Sequence, residues 1–330
     1  MRVCVTGGSG FLGRALLRRF CDGHAERVVT VTRDEQKRVA LDREFGDHPG
    51  FRVYAGDVRD AERLVDLFSG CDSVVHCAAR KIVNAHPDEA DEMIRTNLVG
   101  TQNVAHAART AGVQKVLFIS SDKAVHPETQ TYGLSKALAE RFIVAYNARA
   151  HAGGLRLSVL RYGNVVGSTG SVVVHWRAQH ASGEPLKLSD ERMTRFWLSV
   201  SQAVDFVLCS LTTMRGGEVI VPDVPAAPIT RLAEAVIGLA PKFNMTGIRH
   251  GGEKLHEQLL TDDEVRRARR LRGMFIVPPD VPHQWHWDGS RWLGEPVPAD
   301  MVYRSDVWRQ ASIDELRAMI GMETPIEVRA

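Results

Sequence analysis

Cysteine is scarce in this chain of 330 residues: it holds five, and no two have the spacing of a C-x-x-C motif. An odd and scattered set excludes a disulfide-stapled scaffold and favours buried, reduced thiols. The 13 histidines show no metal-ligand spacing, and no carboxylate or thiol cluster accompanies them. We therefore expect a cytoplasmic protein without a metal centre.

Long apolar runs and an excess of charge are also missing. No run approaches the roughly 20 apolar residues that span a bilayer, and no charged leader with an apolar core opens the sequence. Lys and Arg number 42 against 40 Asp and Glu, a formal net charge of +2. This composition predicts neither nucleic acid nor a membrane as a partner.

Short β-branched strands alternate with helical patterns in the first half of the chain, which predicts an α/β fold with a parallel sheet covered on both faces. The amino-acid composition changes after Gly163, where Gly, Ser, Pro and Trp become frequent and the alternation of strands and helices weakens. We therefore predict a dinucleotide-binding domain over 1–166, with about 197–222, and a smaller substrate-binding region over 167–196 and 223–330. The predicted strands are 1–6, 28–32, 51–54, 73–76, 116–120 and 158–160.

A G-x-x-G-x-x-G turn lies between the first strand and the first helix. Glycine permits the tight turn and lets a pyrophosphate approach the N–H groups of the helix N-terminus, as in a Rossmann-type, doubly wound sheet. Such a turn could serve packing alone, but it stands in the strand–turn–helix unit where cofactor binding requires it. The loop residues assigned to the cofactor are Gly7, Ser9, Gly10, Phe11, Leu12 and Gly13.

The ends of the second and third strands indicate which dinucleotide binds. A carboxylate there typically accepts from the ribose 2′-OH of NAD, whereas an arginine suits the 2′-phosphate of NADP. Arg33 favours NADP, and Asp34 leaves NAD possible. Asp57 is placed to touch the adenine, unless it caps the following helix. The contacts assigned here are Thr32, Arg33, Asp34, Lys37, Asp57 and Val58.

Two pairs of ionisable residues predict acid/base chemistry. Tyr132 and Lys136 are four residues apart and share one helical face. An ammonium beside a phenol favours the phenolate, which can take a proton from a sugar hydroxyl. Asp122 and Lys123 follow a predicted strand at the edge where α/β sheets bind ligands, although a surface salt bridge is the alternative. Simple alcohol oxidation does not need this second pair, so a further step at a neighbouring carbon is expected.

These residues resemble the extended short-chain dehydrogenase/reductase family. Within it they are similar to the UDP-N-acetylglucosamine 4,6-dehydratases that invert C5 in pseudaminic acid synthesis. The resemblance covers most of the chain, and its most specific parts are Asp122-Lys123 and the block 192–197, Arg-Met-Thr-Arg-Phe-Trp. The other matching segments are 7–13, 56–60, 132–136, 161–168, 216–218 and 252–257.

The resemblance implies a role for each member of the two pairs. Lys123 is the base at C5, Asp122 the acid that assists loss of the C6 hydroxyl, and Tyr132 the base at the C4 hydroxyl. Lys136 binds the nicotinamide ribose and lowers the pKa of Tyr132. The hydride taken from C4 returns to C6, so the reaction is redox-neutral.

The resemblance also implies UDP-N-acetylglucosamine as substrate and a homo-oligomeric assembly. Further cofactor contacts are assigned to Cys77, Ala78, Ala79, Lys81 and Ser120, beside Tyr132 and Lys136. Contacts with the nucleotide sugar are assigned to Lys81, Asn164, Ser168, Ser171, Val172, Thr194, Arg249 and Glu253.

Alternative functions remain open at this stage. A C5-retaining dehydratase would use similar residues, and a 4-epimerase would need only Tyr132 and Lys136. A non-catalytic, NADP-binding interaction protein would be free to lose both pairs, yet both are present. The segment from Lys123 to Tyr132 is one residue longer than in the family, so the structural question is whether the two pairs converge.

Overall fold

The computed structural model describes residues 1–81, 87–127, 130–150, 154–168, 170–238, 240–249, 253–280 and 294–321. Its strands are β1 (Arg2–Thr6), β2 (Arg27–Thr32), β3 (Phe51–Ala55), β4 (Ser73–His76), β5 (Lys115–Ser121), β6 (Arg156–Tyr162), β7 (Asn164–Val165), β8 (Leu186–Leu188), β9 (Thr194–Leu198), β10 (Val219–Pro222), β11 (Ala226–Pro228), β12 (Phe243–Met245), β13 (Arg269–Leu271), β14 (Met274–Val277) and β15 (Glu295–Pro296).

The helices are α1 (Phe11–Arg19), α2 (Glu35–Phe45), α3 (Ala61–Phe68), α4 (Pro87–Met93), α5 (Gly100–Thr110), α6 (Thr131–Ala150), α7 (Val172–Ala181), α8 (Val200–Thr213), α9 (Ile229–Ile237), α10 (Asp262–Arg267) and α11 (Ile313–Ile320). Wider π-helical turns occupy Phe20–His24 and Ile94–Val99, and a 3-10 turn occupies Asp122–Ala124. None of the helices in the described ranges combines the length and the apolar character needed to cross a bilayer.

A ten-stranded sheet organises the chain, in the order β15-β13-β14-β10-β6-β5-β4-β1-β2-β3. From β10 to β3 all neighbouring strands are parallel, and β14, β13 and β15 add an antiparallel edge. The central strands are buried and apolar along their length because helices cover both faces. The predicted α/β fold with a Rossmann-type parallel sheet is confirmed.

The strand order reverses between β1 and β4, and this reversal positions the site. Right-handed crossovers place the helices that follow β1 and β2 on one face, and those that follow β4 and β5 on the other. In agreement, α1 packs against α8, while α5 packs against α3 and α6. In sheets of this kind the loops on either side of the reversal diverge, and ligands bind between them at the carboxyl ends of the strands.

A second, smaller hydrophobic cluster lies beside the main core. It centres on buried side chains such as Trp176 of α7, Trp197 of β9 and Leu232 of α9, and α11 packs onto it. β13, β14 and β15 belong to the segment 223–330, yet they extend the large sheet. They do so because the apolar run Met274–Val277 is buried and pairs with β10. The predicted domain boundaries remain a prediction.

Candidate active site

The glycine turn after β1 has a shape that larger residues could not adopt. Gly7 has φ of +74°, and a Cβ there would lie 2.7 Å from the amide nitrogen of Ala78. A Cβ on Gly13 would lie 2.2 Å from the carbonyl oxygen of Gly7. Gly10 caps α1 without a side-chain hydrogen bond, and no acidic residue occupies the first turn. The backbone N–H groups at the start of α1 are therefore free of side-chain caps from the described residues and fit the pyrophosphate of a dinucleotide.

The other residues assigned to this part of the cofactor site surround the turn. Ser9, Phe11 and Leu12 are half-buried at the start of α1. Cys77 and Ala78 follow β4 and contact Gly7, while Ala79 and Lys81 are exposed further along the same segment. All of them lie near the reversal of strand order, and their assignment to the cofactor stays a prediction.

Charged side chains cluster at the ends of β2 and β3. Arg33, half exposed, places Nη1 3.2 Å from Oδ2 of Asp57, and Arg59 places Nη2 2.8 Å from the same oxygen. Burial alone would raise the pKa of Asp57, but its hydrogen bonds and charge pairing with the two arginines lower it. Val58 beside it is buried against α5. Asp60, not Asp57, caps α3, so the alternative role for Asp57 is excluded.

Asp34 has a structural role at the start of α2. Its Oδ1 accepts from the backbone N–H of Lys37 at 3.0 Å, and its own N–H donates to Thr32 Oγ1 at 3.3 Å. The N–H of Lys37 lowers the pKa of this carboxyl. Asp34 is thus engaged as a helix cap, which leaves Arg33 and Lys37 as the basic side chains at this edge.

Asp122 and Lys123 lie in the 3-10 turn that ends β5. Asp122 is fully buried, and its carboxylate accepts from Ser121 Oγ at 2.8 Å and from Lys123 Nζ at 2.9 Å. Lys123 Nζ also lies 3.0 Å from Asn164 Oδ1 and 3.3 Å from Glu257 Oε1. Burial raises the pKa of Asp122, and the nearby charge of Glu257 adds to this against the opposing effect of Lys123.

Tyr132, in the first turn of α6, converges on this pair despite the longer segment before it. Burial raises its pKa; Lys123 and a hydrogen bond with Ser121 oppose the rise, and Asp122 adds to it. The close approach depends on Gly133, where a Cβ would lie 2.4 Å from the carbonyl oxygen of Lys123. Asp122, Lys123 and Tyr132 therefore meet in one site.

Lys136 behaves differently from the expectation. Its buried Nζ donates to the carbonyl oxygen of Ile119 at 2.5 Å and lies 4.0 Å from the centre of the Phe118 ring. Burial lowers its pKa to about 8. The ammonium that lowers the pKa of Tyr132 in this structure is that of Lys123, because the short bond to β5 holds Lys136 back in the sheet.

Two buried hydroxyl groups in the site have no hydrogen-bond partner among the described residues: Ser120 Oγ, at the end of β5, and Ser171 Oγ, at the start of α7. Unsatisfied buried hydroxyls are rare in folded proteins. Each could bond a ligand, in keeping with the predicted assignment of Ser120 to the cofactor and Ser171 to the substrate. Ser168 and Val172, which flank Ser171, are half-buried.

The remaining residues assigned to the sugar nucleotide are engaged within the protein. Thr194 Oγ1 lies 2.9 Å from His256 Nδ1 and 2.7 Å from Ser305 Oγ. Arg249 Nη2 donates to Glu253 Oε1 at 2.7 Å. Thr194 therefore stabilises the local fold, and the guanidinium of Arg249 is exposed apart from its pair with Glu253. The assignment of both residues to the substrate stays a prediction.

Three charged residues near Lys123 received no role from the sequence. Glu257 Oε1 lies 3.8 Å from Arg195 Nε, and its Oε2 lies 3.5 Å from Lys254 Nζ. Lys254 Nζ also donates to the carbonyl oxygen of Val125 at 2.6 Å. All three belong to blocks that matched the family, and this was the only signal for them. No cluster of His, Cys, Asp and Glu among the described residues could hold a metal ion.

Comparisons with known proteins agree with this arrangement. A family model described as "Polysaccharide biosynthesis protein" matches residues 3–279. The chain belongs to this family. A relative, a UDP-N-acetylglucosamine 4,6-dehydratase (inverting) of Campylobacter jejuni, is 37% identical to this chain over 283 residues, which are 84% of this chain and 83% of the relative. The resemblance seen in the sequence is confirmed.

Two further comparisons concern other members of the same superfamily. A UDP-glucose 4-epimerase of Rickettsia typhi is 36% identical over 289 residues, 84% of this chain and 83% of the relative. The solved structure of Pen from Bacillus thuringiensis superposes on this chain with a TM-score of 0.86, and the two sequences are 31% identical. The alignment covers 97% of this chain and 96% of Pen. The described fold therefore extends over nearly the whole of Pen.

Proposed function

We propose that this protein is a lyase, an NADP-dependent 4,6-dehydratase that acts on UDP-N-acetylglucosamine and inverts C5. The observation that carries the proposal is the convergence of Asp122 and Lys123 with Tyr132. An epimerase needs one acid/base residue beside the cofactor, whereas dehydration needs a base at C5 and an acid at C6 as well. The 37% identity to an inverting dehydratase supports the same reaction and the same sugar.

The resting site holds Lys123 as an ammonium whose three N–H donors face Asp122, Asn164 and Glu257. One proton transfer from Lys123 to Asp122 produces both an amine base and a carboxylic acid. The raised pKa of the buried Asp122 favours it as the acceptor. Burial alone would lower the pKa of Lys123, but Asp122 and Glu257 raise it, so the ammonium is the resting form and the transfer accompanies substrate binding. A single transfer therefore prepares both partners of the elimination.

The residues then act in sequence on the sugar. Tyr132 takes the C4 hydroxyl proton, Lys123 removes the C5 proton made acidic by the C4 ketone, and Asp122 protonates the C6 hydroxyl, which leaves as water. When bound, the nicotinamide supplies the hydride acceptor for C4 and the hydride donor for C6. A proton is returned to C5 on the opposite face. The product is a 4-keto-6-deoxy sugar.

The cofactor preference is also part of the proposal. Gly7, Gly10 and Gly13 would hold the pyrophosphate, and the unsatisfied Ser120 hydroxyl would bond near the nicotinamide. Arg33 and Lys37 suit a 2′-phosphate, since Asp34 is engaged at the start of α2. These observations support NADP over NAD.

A homo-oligomer completes the proposal. Ile94, Val99, Leu134 and Leu138 leave large apolar side chains exposed on the π-helical turn and on α6, which pack against each other. An exposed apolar patch of this kind marks an interaction surface. A monomeric mass by light scattering at working concentrations would contradict this part.

The reaction is tested by incubation with UDP-N-acetylglucosamine and NADP without added reductant. We expect a product lighter by one water, and a deuterium label at C5 when the reaction runs in deuterated water. NMR coupling constants of the product report the configuration at C5. A C4 epimer of unchanged mass would favour an epimerase, and a retained C5 would favour a retaining dehydratase.

Variants assign the roles. Tyr132→Phe and Lys123→Ala should each lower kcat by about 10²- to 10⁴-fold, the usual contribution of a general acid or base. Tyr146→Phe is the matched control, because Tyr146 lies on the same helix and stacks on Phe142 away from the two pairs. Unchanged turnover in a folded Tyr132→Phe or Lys123→Ala variant would favour a non-catalytic protein or other catalytic residues.

A further inference from the structure

Glu257 is the second carboxylate beside the Lys123 ammonium, and the proposed reaction gives it no role. Its Oε1 lies 3.3 Å from Lys123 Nζ, which also donates to Asp122 Oδ2 at 2.9 Å and to Asn164 Oδ1 at 3.0 Å. Glu257 is 3% exposed. A buried carboxylate at this distance both restrains the ammonium and acts on its charge.

The position and charge of Glu257 are themselves fixed. Its backbone N–H donates to Ser305 Oγ at 2.9 Å, and its carbonyl oxygen accepts from the N–H of Ser305 at 2.8 Å. Burial alone would raise its pKa, but Lys123, Arg195 and Lys254 together lower it. Arg195 comes from β9 and Lys254 from the segment before Glu257, so two cations remain beside the carboxylate when Lys123 releases its proton.

We propose that Glu257 is a positioning residue, which holds Lys123 between Asp122 and Asn164 and sets the pH range over which the Asp122–Lys123 pair exchanges protons. This inference extends the proposed function. It concerns the pair itself, so part of its test does not depend on the reaction.

The direction of the effect follows from the charge. Three cations face Glu257: Lys123, Arg195 and Lys254. Asp122 and Lys123 are faced by Tyr132 of α6 and Ser121 of β5. A negative charge raises the pKa of every titrating neighbour. The pKa values of both Asp122 and Lys123 include such a contribution from Glu257. Removal of this charge should therefore lower both.

The kinetic test uses Glu257→Gln, which keeps the size of the side chain and removes the charge. Both limbs of the pH dependence of kcat should move to lower pH by about one unit or more, the usual effect of a charge within 4–6 Å. Glu257→Asp keeps the charge and should restore the position of the limbs even if kcat falls. Glu264→Gln is the matched control, because it also neutralises a buried glutamate that has an arginine partner. The glutamine can keep the capping box of α10, and the limbs should stay where they are in the wild type.

A direct measurement separates this inference from the proposed function. The pKa of Lys123 can be followed by NMR of its ¹³Cε in the free protein, with the signal assigned by Lys123→Arg. We expect the pKa of Lys123 to fall in Glu257→Gln and to be unchanged in Glu264→Gln. An unchanged Lys123 pKa in a folded Glu257→Gln protein overturns the inference, whatever the reaction. A fall in that pKa without turnover of any UDP-sugar by the wild type supports the inference and contradicts the proposed function.

Discussion

At the scale of single residues, the approach of Tyr132 to Asp122 and Lys123 depends on the absence of a side chain at Gly133. A Cβ there would lie 2.4 Å from the carbonyl oxygen of Lys123 and 2.9 Å from Cβ of Pro127. Gly133→Ala should push the start of α6 away from the turn and lower kcat by about 10²-fold, as expected for a displacement of about 1 Å. Steady-state kinetics beside a thermal melt measure this effect.

Arg141→Ala serves as the control for Gly133→Ala. Arg141 lies on the same helix, but its side chain is exposed and forms only a surface ion pair with Asp280, which contributes little to stability. Wild-type kcat in Gly133→Ala would mean that Tyr132 and Lys123 need not approach this closely.

The sequence predicted which residue types meet at the site but not how each side chain is engaged. The spacing of Tyr132 and Lys136 correctly places both on one helix, since helical periodicity is a local property. It could not show that the Lys136 ammonium bonds to the carbonyl of Ile119. It could not assign Glu257 either, because that contact depends on how a distant segment folds back onto β5.

At the scale of elements, periodic patterns located the central strands to within one or two residues. β4 was predicted with its exact bounds in the structure, and β5 extends one residue beyond the prediction at each end. The antiparallel edge was not predicted. β13, β14 and β15 have two to four residues each, too few for a periodic signal, and their pairing is set by contacts with distant strands.

A buried ion triad joins three elements and predicts a dependence of stability on pH. Arg161 of β6 donates to Glu140 of α6 at 2.6 Å and to Glu264 of α10 at 2.9 Å. Burial alone would raise the pKa of Glu264, but Arg161 lowers it to about 2. A carboxyl with a depressed pKa stabilises the fold above its unfolded pKa of about 4.3, and that stability is lost as the pH falls toward 2.

Arg161→Met would leave two carboxylates buried without their partner. We expect it to lower the free energy of unfolding by about 3–5 kcal/mol at pH 7. The difference from the wild type should shrink at pH 4 and below, as the carboxyls become protonated. Urea denaturation at several pH values measures both effects. Arg304→Met, which removes an exposed partner of Asp306, should change stability by less than about 1 kcal/mol; an equal loss in both variants would contradict this account.

At the scale of the whole molecule, the candidate site is assembled from segments that are far apart in the sequence. The turn after β5 supplies Asp122 and Lys123, β9 supplies Arg195, and the segment before α10 supplies Lys254 and Glu257. Family motifs identified these blocks separately. Their mutual distances required the structure, because the hydrophobic pattern specifies which side of an element is buried but not which loops meet.

Ligand binding should stabilise the whole chain, since only the folded state offers the site. NADP at 100 times its Kd should add about 2.7 kcal/mol to the free energy of unfolding, measurable as a rise in Tm. We expect NAD to give a smaller rise at equal concentration in the wild type.

Arg33→Ala should reduce the rise in Tm with NADP to the rise seen with NAD, because it removes the cation that faces a 2′-phosphate while Asp34 still caps α2. Arg38→Ala is the control: Arg38 lies on α2 and pairs with Glu35. This variant should keep the difference between the Tm rises with NADP and with NAD. If Arg33→Ala retains the full NADP advantage, the 2′-phosphate must be recognised by another cation, and Lys37, the other basic side chain at this edge, is the next to substitute.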